Sequence, residues 1–347
     1  MLVKIGFYFL GKVGNYALDF SGLFKTYFRY LAFVLASDLD SSSRTSPCLW
    51  ISLVSNGRHE HCIEPNRKGR KNWSRWLVSM EGYGEPGNLI SDTLPELSHI
   101  FSLLGLGLWI IFLISHLLAW QEAKQELKKP PVLSGMATFP MAGMILATYL
   151  LRTIPSVPYI AQVLWWFSFL LDIGLITYFT IQLLSSKERI FATPSWTVLY
   201  VGIAVAALTY PVVGIIEIAY ATIILGFILT FYLYPRIYKD LKKKPLPKEL
   251  LGQEGIYCAP FSLLLASLVR VGGHQLLTYS IILMIISSQI FFFLVLSRLP
   301  QILKQGFQPA FSALTFPTIV TATSLKMAQG ILQIPLLNIF VTIEILI

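Results

Sequence analysis

Apolar segments long enough to cross a membrane alternate with short polar connectors along the chain from His99 onward. A helix needs roughly 20 apolar residues to cross about 30 Å of hydrocarbon, and most of these segments have about this length. The pattern therefore predicts nine membrane-spanning helices, at residues 99–120, 132–151, 158–184, 196–211, 213–234, 254–271, 275–298, 309–326 and 331–347. The fourth and fifth are separated only at Tyr210 and Pro211, but together they are too long for one crossing.

Basic residues are concentrated in alternate connectors. The connectors after the first, third, fifth and seventh predicted helices carry thirteen Lys and Arg side chains, whereas the others carry three, Arg152, Arg270 and Lys326. Connectors rich in Lys and Arg stay on the cytoplasmic side of a membrane. We therefore expect a multi-pass protein of the plasma membrane whose first predicted helix begins outside and whose C-terminus is cytoplasmic.

The first 97 residues do not follow this pattern. Residues 24–36 are apolar but few, and they include Lys25 and Arg29, whereas residues 37–88 are polar, with a basic run at 67–71. We interpret residues 98–347 as a nine-helix transport domain. Residues 1–97 form an atypical N-terminal segment, which contains either one divergent helix or a mistranslated sequence.

The composition favours an integral membrane protein without enzymatic chemistry. Of the 347 residues, 55% are hydrophobic and 13% are charged, whereas soluble domains have roughly 25% charged residues. The net charge of +9 is explained by the cytoplasmic connectors, so no nucleic-acid partner is expected. The sequence lacks the motifs of metalloproteases, serine hydrolases and nucleotide-binding loops, so we expect no catalytic residue and no cofactor. The run His59-Glu60-His61-Cys62 has no second pair of ligands, and we expect no metal site.

Three predicted helices contain a proline in a similar context, in Thr138-Phe139-Pro140, Cys258-Ala259-Pro260 and Thr315-Phe316-Pro317. A proline inside a helix removes a backbone hydrogen bond and bends the helix. The repetition indicates helical hairpins in which one member of each pair is bent, although any single proline is tolerated in a membrane helix. The second, fourth and eighth predicted helices are rich in small residues, which either allow close packing or leave room for a pore. Both interpretations stay open.

Few charged residues lie within the predicted helices. Asp172 is near the middle of the third, and a carboxylate at that depth is a functional candidate. It either binds a proton that is coupled to transport or forms a hydrogen bond between helices. Glu344 lies near a predicted helix end, from which its side chain can reach the membrane surface.

The order and spacing of four sequence stretches resemble the tellurite-resistance/dicarboxylate transporter family. This family includes bacterial tellurite-resistance channels, yeast malate permeases and plant slow anion channels. The stretches lie at 129–140, 200–206, 255–260 and 307–317, and the resemblance covers residues 98–330. It implies an all-α membrane fold of ten helices, arranged as a repeat of helical hairpins around a central pore. The nine helices predicted here correspond to the second to tenth of that design.

The resemblance also implies roles for particular residues. The helices that contain Pro140, Pro260 and Pro317 would be bent members of an inner ring. Candidate pore-lining residues on these helices and on the fourth predicted helix are Thr138, Phe139, Gly202, Ala206, Thr315 and Phe316. In relatives a phenylalanine closes the pore, and the matching residue here is Phe307, with Phe311 as the alternative. An aromatic plug dewets a narrow pore and must rotate aside before an ion can pass.

The function implied by the resemblance is transport of small anions across a lipid bilayer. The anions would be C4-dicarboxylates such as malate, or inorganic anions such as tellurite, sulfite and chloride. One alternative is a proton-coupled carboxylate transporter that uses Asp172, and another is a non-functional, truncated member of the family. Relatives are often trimers, so a homo-trimer is a further expectation from the resemblance.

Overall fold

A computed structural model describes residues 95–186, 189–272, 275–304 and 312–346. The chain divides into two units, Met1–Gly69 and Arg70–Ile347, and all described residues belong to the second. The apolar segment 24–36, the run 59–62 and both candidate gate residues, Phe307 and Phe311, lie outside the described residues.

Within the described residues, a helical segment lies at each of the nine positions that the sequence predicts, in addition to a short helix at Trp120–Glu126. The nine segments are α1 (Pro95–Leu118), α2 (Pro130–Thr153), α3 (Pro158–Ser185), α4 (Ser195–Val212), α5 (Ile216–Lys243), α6 (Leu250–Val271), α7 (Gln275–Leu303), α8 (Ser312–Leu332) and α9 (Pro335–Leu346). Among the described residues, seven helices are long and apolar enough to cross a membrane, in α1 to α7, and no strand occurs. The expected all-α membrane fold is therefore confirmed.

The largest difference from the predicted boundaries is at the end of α5. The sequence predicts an end at residue 234, whereas the helix continues through Pro235 to Lys243. Leu233, Ile237 and Asp240 are buried, and their spacing of three to four residues puts them on one helix face. The helix continues past the apolar run because this face still packs against the rest of the protein.

A tight turn separates α4 from α5, the two helices that the sequence divides only at Tyr210 and Pro211. The turn contains Gly214, which has a φ of 75°. This left-handed conformation is readily adopted by glycine but costs free energy in residues with a Cβ atom. The chain can therefore reverse direction within the three residues between Val212 and Ile216.

Buried and exposed helices alternate along the chain. In their most apolar stretches, α2, α4 and α6 have 78%, 83% and 78% of their residues buried, whereas α1, α3, α5 and α7 have 28%, 22%, 33% and 33%. On α8, Phe316, Val320 and Leu325 are also buried. The even-numbered helices thus form the interior, and the odd-numbered ones present apolar faces that suit lipid rather than water.

Three of the four interior helices are broken, whereas α8 and the neighbouring outer helices are continuous. In α2, the helix Pro130–Gly135 stops before a new one starts at Thr138. In α4, a 3-10 turn at Gly202–Ala204 interrupts the α-helix, and α6 changes from 3-10 to α-helix between Cys258 and Ala259. By contrast, α3, α5 and α7 are single helices of 28, 28 and 29 residues. Broken helices inside a membrane protein are tolerated where other parts of the protein meet the freed backbone groups.

Candidate pore

The interior helices contact one another in chain order, beginning with α2 and α4. Ser134 Oγ donates a hydrogen bond of 2.8 Å to Ser195 Oγ at the first turns of these helices. Further along, a Cβ atom on Gly202 would lie 2.5 Å from Met141 Sδ. Glycine at this position therefore allows α4 to approach α2 closely.

Hydroxyl groups connect the remaining interior helices. Ser267 Oγ on α6 donates to the Ala204 carbonyl oxygen on α4 over 2.9 Å. Ser262 Oγ, also on α6, shares hydrogen bonds of 2.8 Å with Thr321 Oγ1 on α8 and with Ser288 Oγ on α7. The four interior helices thus form the series α2–α4–α6–α8, held by neutral polar contacts.

The outer helices donate hydrogen bonds from aromatic side chains to the interior helices. Trp109 Nε1 on α1 donates to the Phe139 carbonyl oxygen on α2 over 3.0 Å. Trp165 Nε1 on α3 donates to Thr209 Oγ1 on α4 over 2.7 Å, and the Tyr234 hydroxyl on α5 donates to the Tyr257 carbonyl oxygen on α6. The three hairpins α1–α2, α3–α4 and α5–α6 thus share one feature, in which an aromatic side chain of the outer helix satisfies an acceptor of its broken partner.

Buried charge is kept off the interior helices in the part of the chain that is described. The charged residues buried there are Asp172 on α3, Asp240 on α5 and Glu344 on α9, all of them outer helices. The polar residues buried on the interior helices are serines and threonines, namely Ser134, Thr138, Ser195, Thr197, Thr209, Ser262, Ser267, Thr321, Thr323 and Ser324. A pathway along these helices would therefore meet hydroxyl groups and backbone rather than ionised side chains.

The candidate pore-lining residues of α2 and α4 are all buried. Thr138 Oγ1 donates to the Gly135 carbonyl oxygen over 2.9 Å, across the break in α2. The Phe139 ring stacks on the Trp109 ring of α1, with centroids 4.7 Å apart. Gly202 faces Met141 of α2, and Ala206 is fully buried in the same core cluster. The structure thus brings these residues together at neighbouring helices, where they pack against other side chains.

On α8, Phe316 is buried, whereas Thr315 is exposed. Thr315 borders a mostly apolar cavity of about 210 Å³ between α7 and α8, which is also lined by Phe292, Val295, Leu296, Leu299, Leu314 and Thr318. The cavity is large enough for several atoms of a small ligand, and two threonines are among its lining residues.

The three prolines occupy different positions in their helices. Pro140 is the third residue of the helix that restarts at Thr138, and Pro260 is the second residue of the one that starts at Ala259. Prolines are well tolerated in a first turn because its N–H groups have no partner within the helix. Pro317 lies inside α8, and its carbonyl oxygen accepts a hydrogen bond of 2.8 Å from Thr321 Oγ1.

Asp172 faces the interior from α3. Its side chain is fully buried, and neither carboxyl oxygen has a hydrogen-bond partner among the described residues. Ser168, one helical turn earlier, is also buried, and its Oγ would lie 2.2 Å from a Cβ atom on Gly143 of α2. The carboxyl group is therefore on the face of α3 that packs against α2.

Two further buried carboxylates were not identified from the sequence. Glu344 is only 7% exposed, so the expectation that it reaches the membrane surface is wrong. It lies seven residues after the buried Leu337 and hence on the same face of α9. Asp240 is 1% exposed, accepts a hydrogen bond of 2.7 Å from Arg189 Nη2 and accepts a second one of 3.0 Å from the Ala192 N–H. The signal for Asp240 was its position as the one acid among several lysines at the end of α5.

Comparison with protein families gives one match. A family model described as "SLAC1: Voltage-dependent anion channel" matches residues 76–347. The match includes all nine helices and begins within the segment that the sequence pattern left unassigned. No curated protein matches the chain.

Proposed function

Because the chain belongs to the SLAC1 family of voltage-dependent anion channels, we propose that it passes small anions along a central pathway formed by α2, α4, α6 and α8. The family match confirms the resemblance to the tellurite-resistance/dicarboxylate transporter family. At the level of the family, the function is anion transport across a membrane, carried out by channels and transporters rather than by enzymes. The identity of the anions, the gate and any coupling are our proposals.

The observation that carries the proposal is the absence of buried charge from the described parts of the interior helices. A fixed carboxylate beside the pathway would repel an anion by several kcal/mol, about 4 kcal/mol at 4 Å. Hydroxyl donors can instead replace part of the hydration shell of an anion. The described parts of the interior helices also bury no Lys or Arg, so we expect weak discrimination between C4-dicarboxylates such as malate and inorganic anions such as tellurite, sulfite and chloride.

Anion efflux from liposomes tests this proposal. Liposomes that contain the purified protein should release chloride and malate at rates within about tenfold of each other, and protein-free liposomes should release neither. Retention of both anions under a membrane potential of either sign would contradict the proposed transport. It would favour the alternative that the chain is a non-functional member of the family.

Phe307 is proposed as the aromatic gate, and Phe311 is the alternative. The support for this assignment comes from the sequence resemblance, in which the gate lies just before Thr315-Phe316-Pro317. Phe307→Ala should raise the anion conductance, because the pore would no longer be closed by an apolar ring. Phe293→Ala is a matched control, since Phe293 is exposed on the outer helix α7. An unchanged conductance in Phe307→Ala would reject this gate, and Phe311→Ala then tests the alternative.

The protein is proposed to lie in the plasma membrane. In the proposed orientation, the connectors after α1, α3, α5 and α7 and the C-terminus are cytoplasmic. The support is the concentration of Lys and Arg in these connectors. A membrane-impermeant thiol reagent added to intact cells should label Arg152→Cys but not Lys243→Cys, and the reverse result would invert the orientation.

The proposed homo-trimer is tested by the mass of the protein in mild detergent.

A proton-coupled carboxylate transporter is the second candidate function. Asp172 favours it, because both carboxyl oxygens are buried without a partner among the described residues. A carboxyl group at membrane depth can take up and release a proton during a transport cycle. If Asp172 is the coupling site, Asp172→Asn should abolish uptake driven by a pH gradient while leaving anion exchange intact. Unchanged gradient-driven uptake in this variant would reject the coupling role.

A further inference from the structure

The end of α5 extends beyond the hydrocarbon core of a membrane. The helix has 28 residues, which corresponds to about 42 Å at 1.5 Å per residue, whereas the hydrocarbon core is about 30 Å thick. Tyr232 and Tyr238 are 59% and 61% exposed, and tyrosine is enriched at the level of the lipid headgroups. The helix is thus longer than one upright crossing requires, and the two exposed tyrosines near its end suit the depth of the lipid headgroups.

The last turns of α5 present a row of exposed lysines. Lys239, Lys242, Lys243 and Lys244 are all exposed. Lys242 Nζ lies 4.7 Å from the centroid of the Tyr238 ring, so the cation lies beside one of the two exposed tyrosines. We call these four lysines the α5 lysine cluster.

Asp240, which lies between these lysines in the sequence, does not offset their exposed positive charge. Asp240 is turned into the protein, where it is 1% exposed and binds Arg189 and the Ala192 N–H. From Lys239 to Leu250 the sequence contains five lysines and two acids, and one of these acids is thus neutralised internally. By comparison, the stretch 121–129 contains three lysines and two glutamates.

The cluster also lies beside the connector that leads into the interior helix α4. Lys244 Nζ and Arg189 Cζ lie 5.6 Å and 5.5 Å from the centroid of the Phe191 ring. Arg236 Cζ lies 5.4 Å from the ring of Trp196, the second residue of α4. Cations from α5 and from the connector before α4 therefore meet at one surface.

We propose that the α5 lysine cluster is a docking surface for anionic phospholipid headgroups. Lysines next to a membrane helix attract acidic lipids by charge, and the tyrosines beside them keep the cluster at headgroup depth. The proposed orientation places the cluster at the cytoplasmic leaflet. Binding of lipid by the purified protein in detergent does not depend on that orientation.

The test is a lipid titration of the purified full-length protein in detergent, followed by native mass spectrometry. The probes are phosphatidylserine and phosphatidylcholine with identical acyl chains. Each lysine near an anionic surface is expected to change the affinity about fivefold. The loss of two such contacts already exceeds tenfold, so Lys239→Gln/Lys242→Gln/Lys243→Gln/Lys244→Gln should weaken phosphatidylserine binding at least about tenfold and leave phosphatidylcholine binding unchanged. Raising the salt concentration should reduce phosphatidylserine binding to the wild type.

The matched control is Lys124→Gln/Lys128→Gln/Lys129→Gln, which removes lysines from a connector where glutamates offset their charge. This variant should change phosphatidylserine affinity by less than about twofold. Equal losses in both variants, or no loss in the α5 variant, would overturn the proposal. Soluble glycerophosphoserine is added as a competitor to separate a lipid site from a site for free phosphate esters. Displacement of phosphatidylserine by equimolar glycerophosphoserine would reject the lipid as the ligand.

Discussion

Replacement of Asp240 by alanine should destabilise the contact between the end of α5 and the connector before α4. Asp240 holds the connector before α4 through two hydrogen bonds, from Arg189 Nη2 at 2.7 Å and from the Ala192 N–H at 3.0 Å. Alanine leaves the buried Ala192 N–H without its acceptor, which costs about 1–3 kcal/mol. It also removes a charge-assisted bond, but the Arg189 side chain is 59% exposed and can turn to water, so that loss is about 1 kcal/mol.

The sum predicts a loss of about 2–4 kcal/mol for Asp240→Ala. Each kcal/mol lowers Tm by about 2–4 °C in a large domain, so Tm should fall by at least about 4 °C. Asp240→Asn keeps an oxygen that can accept from the Ala192 N–H and should therefore lose only about half as much. Thermal unfolding in detergent, followed by tryptophan fluorescence, measures both changes.

Glu217→Ala provides the control for the Asp240 prediction. Glu217 is an exposed acid in the first turn of the same helix, where a carboxylate contributes about 0.3–1 kcal/mol through the helix dipole. A double-mutant cycle with Arg189→Ala isolates the ion pair. An unchanged Tm in Asp240→Ala, or an equal loss of Tm in Asp240→Asn and Asp240→Ala, would contradict the stabilising role of the hydrogen bond from the Ala192 N–H.

Two further predictions concern contacts between helices. Gly202→Ala should lower the stability by about 1–3 kcal/mol, because a Cβ atom there would lie 2.5 Å from Met141 Sδ. Adding Met141→Ala should restore part of the lost Tm. No recovery in the double variant would show that the clash is not the cause. Trp165→Phe should lower the stability by about 1 kcal/mol, because it loses the 2.7 Å hydrogen bond from Trp165 to Thr209. The same unfolding assay measures this loss, with Trp166→Phe as the control. An equal effect of the two changes would contradict the role of the hydrogen bond.

The approximate positions of the described helices could be predicted from the sequence, because a membrane demands long apolar segments with charged connectors. The end of α5 could not, since the helix continues past its apolar run by burying Ile237 and Asp240. Hydropathy reports transfer into lipid, and this part of α5 is stabilised by contacts with another part of the chain. The partners of Asp240 are 48 and 51 residues away, and no local pattern indicates them.

The interior position of particular helices was only partly predictable. Repeated prolines marked α2, α6 and α8, and small residues marked α2, α4 and α8, but small residues are compatible both with tight packing and with a pore. The structure shows close packing at Gly202 and Phe139. The aromatic donors Trp109, Trp165 and Tyr234 on the outer helices were not anticipated, because tryptophan and tyrosine in a membrane protein are also expected at the interface.

The most direct test of the proposed anion pathway is the reversal potential of a planar bilayer that contains the purified protein. With a gradient of potassium chloride across the bilayer, an anion-selective pathway should give a reversal potential close to the chloride equilibrium potential. Replacing chloride by malate on one side should shift it only modestly, because the interior helices offer hydroxyl groups rather than a fixed charged site. A reversal potential close to the potassium equilibrium potential, or no protein-dependent current, would contradict the account.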